Sequence, residues 1–318
     1  MADEEAAASQ DRDAAHTAST LAQLFLRAMR KHDRSAVFLH REGDRWRETP
    51  DWRFERQAIR LGLFLRDRGA LAPGERVAIV SSLRPEVTVA EAAAVVQGAT
   101  SVAIDPTLPP DQLALALTAA SPSAVILESA TLREQIGSAQ RVVIAMDGKP
   151  ADGWVWTEAL DLGGTLDTPE RAQSFRARAR EVPPSAAALG YVVAGDGAVQ
   201  YQVIDQADAV SRVNRIWADV PPAKGDVTYV AGPVTLGARI AWFAAIGDGV
   251  TRCALGTTGN ESAEIAELHP KRIVAGTDVV ERARRTAPTP PRPAPPRTPT
   301  ARILHWLKER TELLDRKH

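Results

Sequence analysis

A glycine-containing turn lies within residues 189–205, LGYVVAGDGAVQYQVID. Gly195 and Gly197 follow an apolar run, a pattern typical of turns whose backbone N–H groups approach phosphate. A loop that holds a triphosphate also uses hydroxyl donors and a cation. This stretch has no serine, threonine or lysine, and Asp196 stands between the glycines. Because a carboxylate facing phosphate oxygens in a low-dielectric cleft is repulsive by several kcal/mol, the turn is predicted to hold phosphate poorly.

The segments around this turn alternate strands with helices. Buried strands are predicted at 77–80, 101–104, 124–127, 141–145, 227–231, 250–255 and 272–275. Helices are predicted at 21–32, 50–69, 85–97, from 111 onward, 207–219, 236–246 and 260–268, with Thr20 and Thr49 as caps of the first two. A hairpin is predicted around Gly43 and Asp44. Alternating strands and helices imply crossover connections, so the predicted fold class is α/β with mainly parallel, helix-covered sheets.

Two segments of the chain resemble a known family. The runs at 43–87 and 98–127 are similar to the N-terminal half of AMP-forming long-chain acyl-CoA synthetases, in the adenylate-forming (AMP-binding) superfamily. The likeness extends from about Leu21 to His269. It implies the fold of the N-terminal part of the synthetase large domain, in incomplete form. Members of that family activate a carboxylate with ATP to an acyl-adenylate and then transfer the acyl group to coenzyme A.

The resemblance assigns a register to the turn. The family loop reads Tyr-Thr-Ser-Gly-Thr-Thr-Gly-x-Pro-Lys-Gly, and its cofactor-binding positions correspond here to Tyr191, Ala194, Gly195, Asp196, Gly197 and Gln200. Gln200 stands where the family has its lysine. Asp205 and Gln206 replace a Thr-His pair, and the stretch at 228–239 lacks the family's histidine. These departures predict a non-functional loop with no catalytic residue.

The family's remaining active-site elements are expected to be missing. No Tyr-Gly-x-Thr-Glu motif occurs, and only 33 residues follow residue 285, so a truncated homologue is expected. No cofactor is therefore expected, and ATP with Mg²⁺ would enter only under the alternative below. The six histidines show no metal-ligand spacing, so no metal is expected either.

A second turn, Leu255 to Gly259 (LGTTG), resembles the core of the family loop. Between a strand and a helix it could present N–H groups to an anion. The other interpretation is a polar turn in which Thr258 or Asn260 caps the following helix, and we favour this one because no Pro-Lys follows.

Composition limits the partners. The formal net charge is −1, which argues against general binding to nucleic acid. The single cysteine, Cys253, cannot form an intramolecular disulfide, so a cytoplasmic location is expected. The predicted organisation is a mobile leader at 1–18, a synthetase-like region at 19–285 with two βα subdomains (about 19–182 and 183–285), a Pro-rich linker at 286–300 and a basic amphipathic helix at 301–318.

Two functions remain open from sequence. The first is a non-catalytic homologue, a pseudoenzyme of fatty acid metabolism that binds a protein partner or an acyl ligand. Partner binding or oligomerisation would use an uncovered sheet edge and the C-terminal helix, and segment 301–318 could also make weak contact with a membrane surface. The alternative is an AMP-forming acid–CoA ligase whose missing half is supplied by another chain.

Overall fold

The computed structural model describes residues 18–31, 36–136, 142–195, 198–257 and 259–275. The predicted linker at 286–300, the predicted helix at 301–318 and nearly all of the predicted leader lie outside the described residues. Within the described ranges, no helix combines the length and apolar character needed to cross a bilayer.

Most of the described helices begin where the sequence offers a polar cap or a proline; the helix that follows Val155 is an exception. They are α1 (Leu21–Lys31), α2 (Asp51–Asp67), α3 (Pro85–Val96), α4 (Pro110–Ala120), α5 (Trp156–Leu166), α6 (Pro169–Glu181), α7 (Gln206–Asp219), α8 (Leu236–Gly247) and α9 (Glu261–Leu268), with a 3-10 helix at Ala130–Gln135. The Thr20 hydroxyl accepts a hydrogen bond from the Gln23 amide at 3.1 Å, as predicted. Thr235 caps α8 in the same way. Such caps satisfy amides that the helix itself leaves unbonded.

The described strands form two sheets. They are β1 (Phe38–Glu42), β2 (Arg45–Thr49), β3 (Arg76–Val80), β4 (Thr100–Ile104), β5 (Ala124–Ser129), β6 (Val142–Asp147), β7 (Trp154–Val155), β8 (Ala187–Gly195), β9 (Ala198–Asp205), β10 (Val227–Val230), β11 (Arg252–Leu255) and β12 (Arg272–Val274). The seven-stranded sheet has the order β7-β6-β5-β3-β4-β8-β9, and the five-stranded sheet has the order β12-β10-β11-β1-β2. All pairs are parallel except β1–β2 and β8–β9. The predicted class, α/β with mainly parallel sheets covered by helices, is confirmed.

The main hydrophobic core lies among helices that contact strands of both sheets. It contains buried side chains of α1, α2, α3, α7 and α8 together with inward-facing residues of the strands. A second cluster lies under α4 on the seven-stranded sheet, and a third lies between the five-stranded sheet and α9. Helices therefore cover both faces of each sheet, and the near-continuous apolar strands are explained by burial on two sides.

Three details differ from the sequence predictions. The helix predicted to open at Pro50 begins at Asp51 with Pro50 as its N-cap, so Thr49 does not cap it. The elements β7, α5 and α6 were not predicted. The boundary at about residue 182 between two βα subdomains stays a prediction, but the sheets do not follow it: the early strands β1 and β2 join β10–β12, and β8 and β9 join β3–β7. Which sheet each strand belongs to is determined by hydrogen bonds between segments that are distant in sequence.

Candidate functional site

The predicted phosphate turn is the tip of the β8–β9 hairpin. Paired residues continue to its end, with Val193 opposite Gln200, Ala194 opposite Val199, and Gly195 opposite Ala198. Only two residues connect the strands. Residues 193–195 and 198–200, which the predicted phosphate turn includes, are therefore part of an antiparallel ladder. In such a ladder, backbone N–H and C=O groups form hydrogen bonds with the neighbouring strand.

The predicted site residues have separate environments on this hairpin. The Tyr191 hydroxyl donates to Oε1 of Gln202 on the opposite strand, at 2.6 Å. Gln200 is exposed. Ala194 and Gly195 take part in the ladder through their backbones, and Asp196 and Gly197 lie outside the described residues. Among the described positions, no hydroxyl and cation are brought together as phosphate binding requires.

A buried arginine ties the base of the hairpin to the rest of the sheet. Arg239, on α8, donates from Nη1 to the Gly190 carbonyl at 2.6 Å. Its Nη2 donates to the carbonyl and the hydroxyl of Ser101 on β4, at 2.7 and 2.9 Å. Its Nε donates to Glu91 on α3, and Trp242 Nε1 donates to the same carboxylate at 2.7 Å.

This network was missed from sequence, although a signal was present. Arg239 and Glu91 are both 0% exposed, so the pair lies entirely within the core. Each is the one charged residue in the middle of an otherwise apolar stretch, LGARIAWFAAIG and VTVAEAAAVV. Since a lone buried charge is very costly, two such residues of opposite sign predict a pair. The segment at 228–239 thus has a structural arginine, although it lacks the family's histidine.

The second candidate turn, at 255–259, is occupied by a side chain of the chain itself. The Thr257 amide donates to Oε2 of Glu264 at 3.0 Å, and the Tyr229 hydroxyl donates to the same oxygen at 2.7 Å. Burial, followed by the hydrogen bond to Glu264, raises the pKa of Tyr229, so its hydroxyl stays protonated and donates. Asn260 is the N-cap of α9 but makes no side-chain cap bond, and Thr258 lies outside the described residues. With carboxylates in its first turn, this helix end is suited to the chain's own acids and not to an external anion.

A separate cleft of about 940 Å³ opens beside the β1–β2 hairpin. Its walls are this hairpin, the first turns of α2 and α3, and the residues that follow β3, β10 and β11. The carboxyl ends of parallel strands are where open α/β sheets form ligand crevices. Of the described phosphate-turn positions, neither Tyr191 nor Gln200 lines this cleft.

Charged groups dominate the cleft walls. Arg84 donates to Asp147 at 2.6 Å and to Glu86 at 2.9 Å. Burial lowers the pKa of Arg84, but these two hydrogen bonds outweigh it, so the pKa is raised overall. Burial lowers the pKa of His40, which therefore stays neutral near pH 7.

Metal-ligand clusters and the single cysteine are two further features that could support catalysis. Within the described ranges, no group of three His, Cys, Asp or Glu side chains is arranged to hold a metal ion. Cys253 is buried in β11, and burial raises the pKa of its thiol, so this side chain packs as a small apolar group.

The sequence and the fold are both similar to known proteins. The sequence profile of the family described as "AMP-binding enzyme" matches residues 24–189, just over half of the chain. No curated protein matches the sequence. Many solved structures share the fold.

Three of these structures illustrate the likeness. A protein described as a long-chain-fatty-acid CoA ligase from Rhodopseudomonas palustris has a TM-score of 0.70 at 16% identity, over 85% of this chain and 66% of its own. Acetoacetyl-CoA synthetase from Streptomyces lividans has a TM-score of 0.66 at 17% identity, over 84% of this chain and 44% of its own. The fatty acyl-adenylate ligase from L. pneumophila has a TM-score of 0.59 at 12% identity, over 81% of this chain and 44% of its own. At these identities the structures establish the fold, and the chain spans less than two thirds of their lengths.

Proposed function

The chain belongs to the AMP-binding enzyme family, and from that premise we propose that it is a non-catalytic homologue of acyl-CoA synthetases that acts by binding. The observation that carries the proposal is the closed β8–β9 hairpin. Its strands pair up to Gly195 and Ala198, at positions that the resemblance aligns with the family's phosphate loop. The catalytic step of the family begins with ATP, so a chain that cannot hold the triphosphate does not form an adenylate.

Three physical factors act against ATP at this hairpin. Backbone amides that would approach phosphate are partly used in the ladder. No serine, threonine or lysine occurs in 189–205 to add hydroxyl donors or a cation, and Gln200 is a neutral donor only. Asp196 adds a negative charge between the two glycines. The three factors act in the same direction, so no one substitution accounts for the loss.

The alternative is a ligase whose remaining elements come from another chain. What favours it is that the family fold is retained over the matched region, with TM-scores of 0.59 to 0.70 to three solved relatives. What disfavours it is the hairpin, because a second chain could supply adenine-binding residues but could not replace the residues of this turn. We therefore prefer the non-catalytic function.

Binding would take place on surfaces that the fold leaves open. Strand β9 is an edge strand, and Val193 and Val203 on this hairpin are each 45% exposed. Unpaired edges and exposed apolar side chains are features that a protein partner can cover. An acyl ligand is the other proposed partner, and contact of segment 301–318 with a partner or with an anionic membrane surface belongs to the same proposal.

We expect no ATP–pyrophosphate exchange from the purified full chain. The assay uses labelled pyrophosphate, Mg-ATP and a series of fatty acids of increasing length, with an active acyl-CoA synthetase as the positive control. The expected rate equals that of the heat-inactivated chain, because adenylate formation needs a bound triphosphate. Acid-dependent exchange that is lost in the Gln200→Ala variant would contradict the proposal and assign activity to this turn.

A further inference from the structure

The cleft beside the β1–β2 hairpin has the size and position of a ligand site that is separate from the phosphate turn. Its volume of about 940 Å³ lies at the upper end of the range for small-molecule pockets. Its floor is apolar: Leu83, Val89, Trp156 and Leu255 line it with little exposure of each. Charged residues form the rim above this floor.

The hairpin presents its charges to the two faces in alternation. His40 lies directly opposite Arg47, and Phe38 lies opposite Thr49, so these side chains share the face on which Phe38 packs into the main core. Glu48 lies opposite Leu39, on the other face. Both faces nevertheless contribute charges to the cleft, because Arg41 and Glu48 line it together with His40, Glu42 and Arg47.

Most of the charges that line the cleft are already paired within the protein, Arg41 with Glu267 among them. Arg47 forms a salt bridge with Glu42, and Arg84 pairs with Glu86 and Asp147. Arg53, in the first turn of α2, has no ion-pair partner among the described residues and lines the cleft. Gln57, four residues later on the same helix face, adds a neutral amide.

We propose that the cleft binds a small amphipathic ligand through an anionic group, a phosphate or a carboxylate, that pairs with Arg53. A guanidinium presents planar, paired donors that match both oxyanions. The apolar part of the ligand lies over Leu83, Val89 and Trp156. This site does not depend on the proposed loss of adenylate formation, because it shares no described residue with the β8–β9 hairpin.

His40 supplies an internal reporter. Its pKa is lowered first by burial, and the positive charges of Arg53 and Arg47 lower it further, whereas Glu86 and Glu42 raise it. An anion bound at Arg53 offsets part of the positive field, so it raises the pKa of His40. Because His40 lines the same cleft as Arg53, a raised His40 pKa is the signal expected for an anion bound there.

The test is calorimetric titration of the full chain with phenyl phosphate, benzoate and inorganic phosphate. Wild type and Arg45→Gln are expected to bind at least one aromatic probe, and more tightly than inorganic phosphate, because only the aromatic probes cover the floor. Arg45→Gln is the matched control: it removes the same charge from the neighbouring β1–β2 hairpin, at an exposed position that does not line the cleft. Arg53→Gln is expected to weaken binding about tenfold or more, as expected for a hydrogen-bonded charge pair.

The relative affinities of the probes identify the anionic group of the ligand. Tighter binding of phenyl phosphate assigns a phosphate ligand, and tighter binding of benzoate assigns a carboxylate. In both cases the imidazole NMR signal that is absent from a His40→Gln variant should titrate at higher pH when the probe is bound. No binding of either aromatic probe, or equal affinity in wild type, Arg53→Gln and Arg45→Gln, would overturn the proposal.

Discussion

Replacing Glu91 by alanine is expected to lower the free energy of unfolding by about 3–5 kcal/mol, the range found when one partner of a buried ion pair is removed. Arg239 would remain fully buried with its charge uncompensated, since the carboxylate is its one anionic partner among the described residues. The Trp242 indole N–H would also lose its acceptor. Urea denaturation followed by tryptophan fluorescence measures the change.

A surface ion pair gives the matched control. Asp208 pairs with Arg212 one turn later on α7, and both side chains are exposed by more than 40%. Asp208→Ala is expected to cost only about 0.3–0.5 kcal/mol, because water screens the pair. The double variant Glu91→Leu/Arg239→Met should be more stable than Glu91→Ala, because it leaves no unpaired charge. If Glu91→Ala lowered the free energy of unfolding by less than about 1 kcal/mol, close to the Asp208→Ala control, the buried Arg239–Glu91 network would not stabilise the fold as proposed.

Gly163→Ala is expected to be the second most damaging change, with a loss of about 1–3 kcal/mol or more. Gly163 lies where α5 crosses α2, and a Cβ there would overlap the carbonyl of Arg60. That carbonyl belongs to the backbone of a packed helix, so it cannot move as a side chain would. The two helices would have to separate, and their shared core would loosen.

The neighbouring glycine tests this explanation directly. A Cβ at Gly164 would approach the Arg60 side chain no closer than 3.4 Å, which is ordinary contact. Because alanine is favoured over glycine in a helix by about 0.5–1 kcal/mol, Gly164→Ala should be neutral or stabilising. Thermal unfolding of the two variants measures the difference. Equal melting temperatures would contradict the close crossing of α2 and α5.

Much of the fold could be predicted because its strands are apolar and its helix ends are marked. The strands β3, β4 and β5 lie within one or two residues of prediction, since each is buried on both faces and bounded by turn residues. Strand β7 has only two residues, which is too short for any periodic pattern. Helix α6 reads PERAQSFRARARE, with few apolar positions, and it owes its place to Phe175 and Ala179 packing on the core. Tertiary contacts of this kind leave little local signal.

The residue types of the candidate site could be predicted from the sequence, but the arrangement of its backbone could not. The absence of hydroxyls and lysine around Gly195, and the presence of Asp196, can be read from the residues. The closure of the turn into a ladder depends on pairing between two strands, which composition does not specify. The lone charges of Arg239 and Glu91 in apolar stretches indicate a buried pair, but the two residues are 148 positions apart, and the further bonds of Arg239 to Gly190 and Ser101 follow only from the folded chain. The cleft at Arg53 could not be predicted from sequence for the same reason, because its walls come from a hairpin and from the ends of strands that are distant in sequence.

We expect that this chain does not hold ATP, and calorimetric titration of the purified full chain with Mg-ATP measures such binding without relying on catalysis. The expected result is no heat beyond dilution up to millimolar ATP, because residues 189–205 include no lysine, serine or threonine to bind a triphosphate and Asp196 adds a negative charge. An active acyl-CoA synthetase titrated under the same conditions supplies the positive signal. Saturable binding of Mg-ATP that weakens in the Gln200→Ala variant would contradict this expectation, because it would show that the hairpin still binds phosphate.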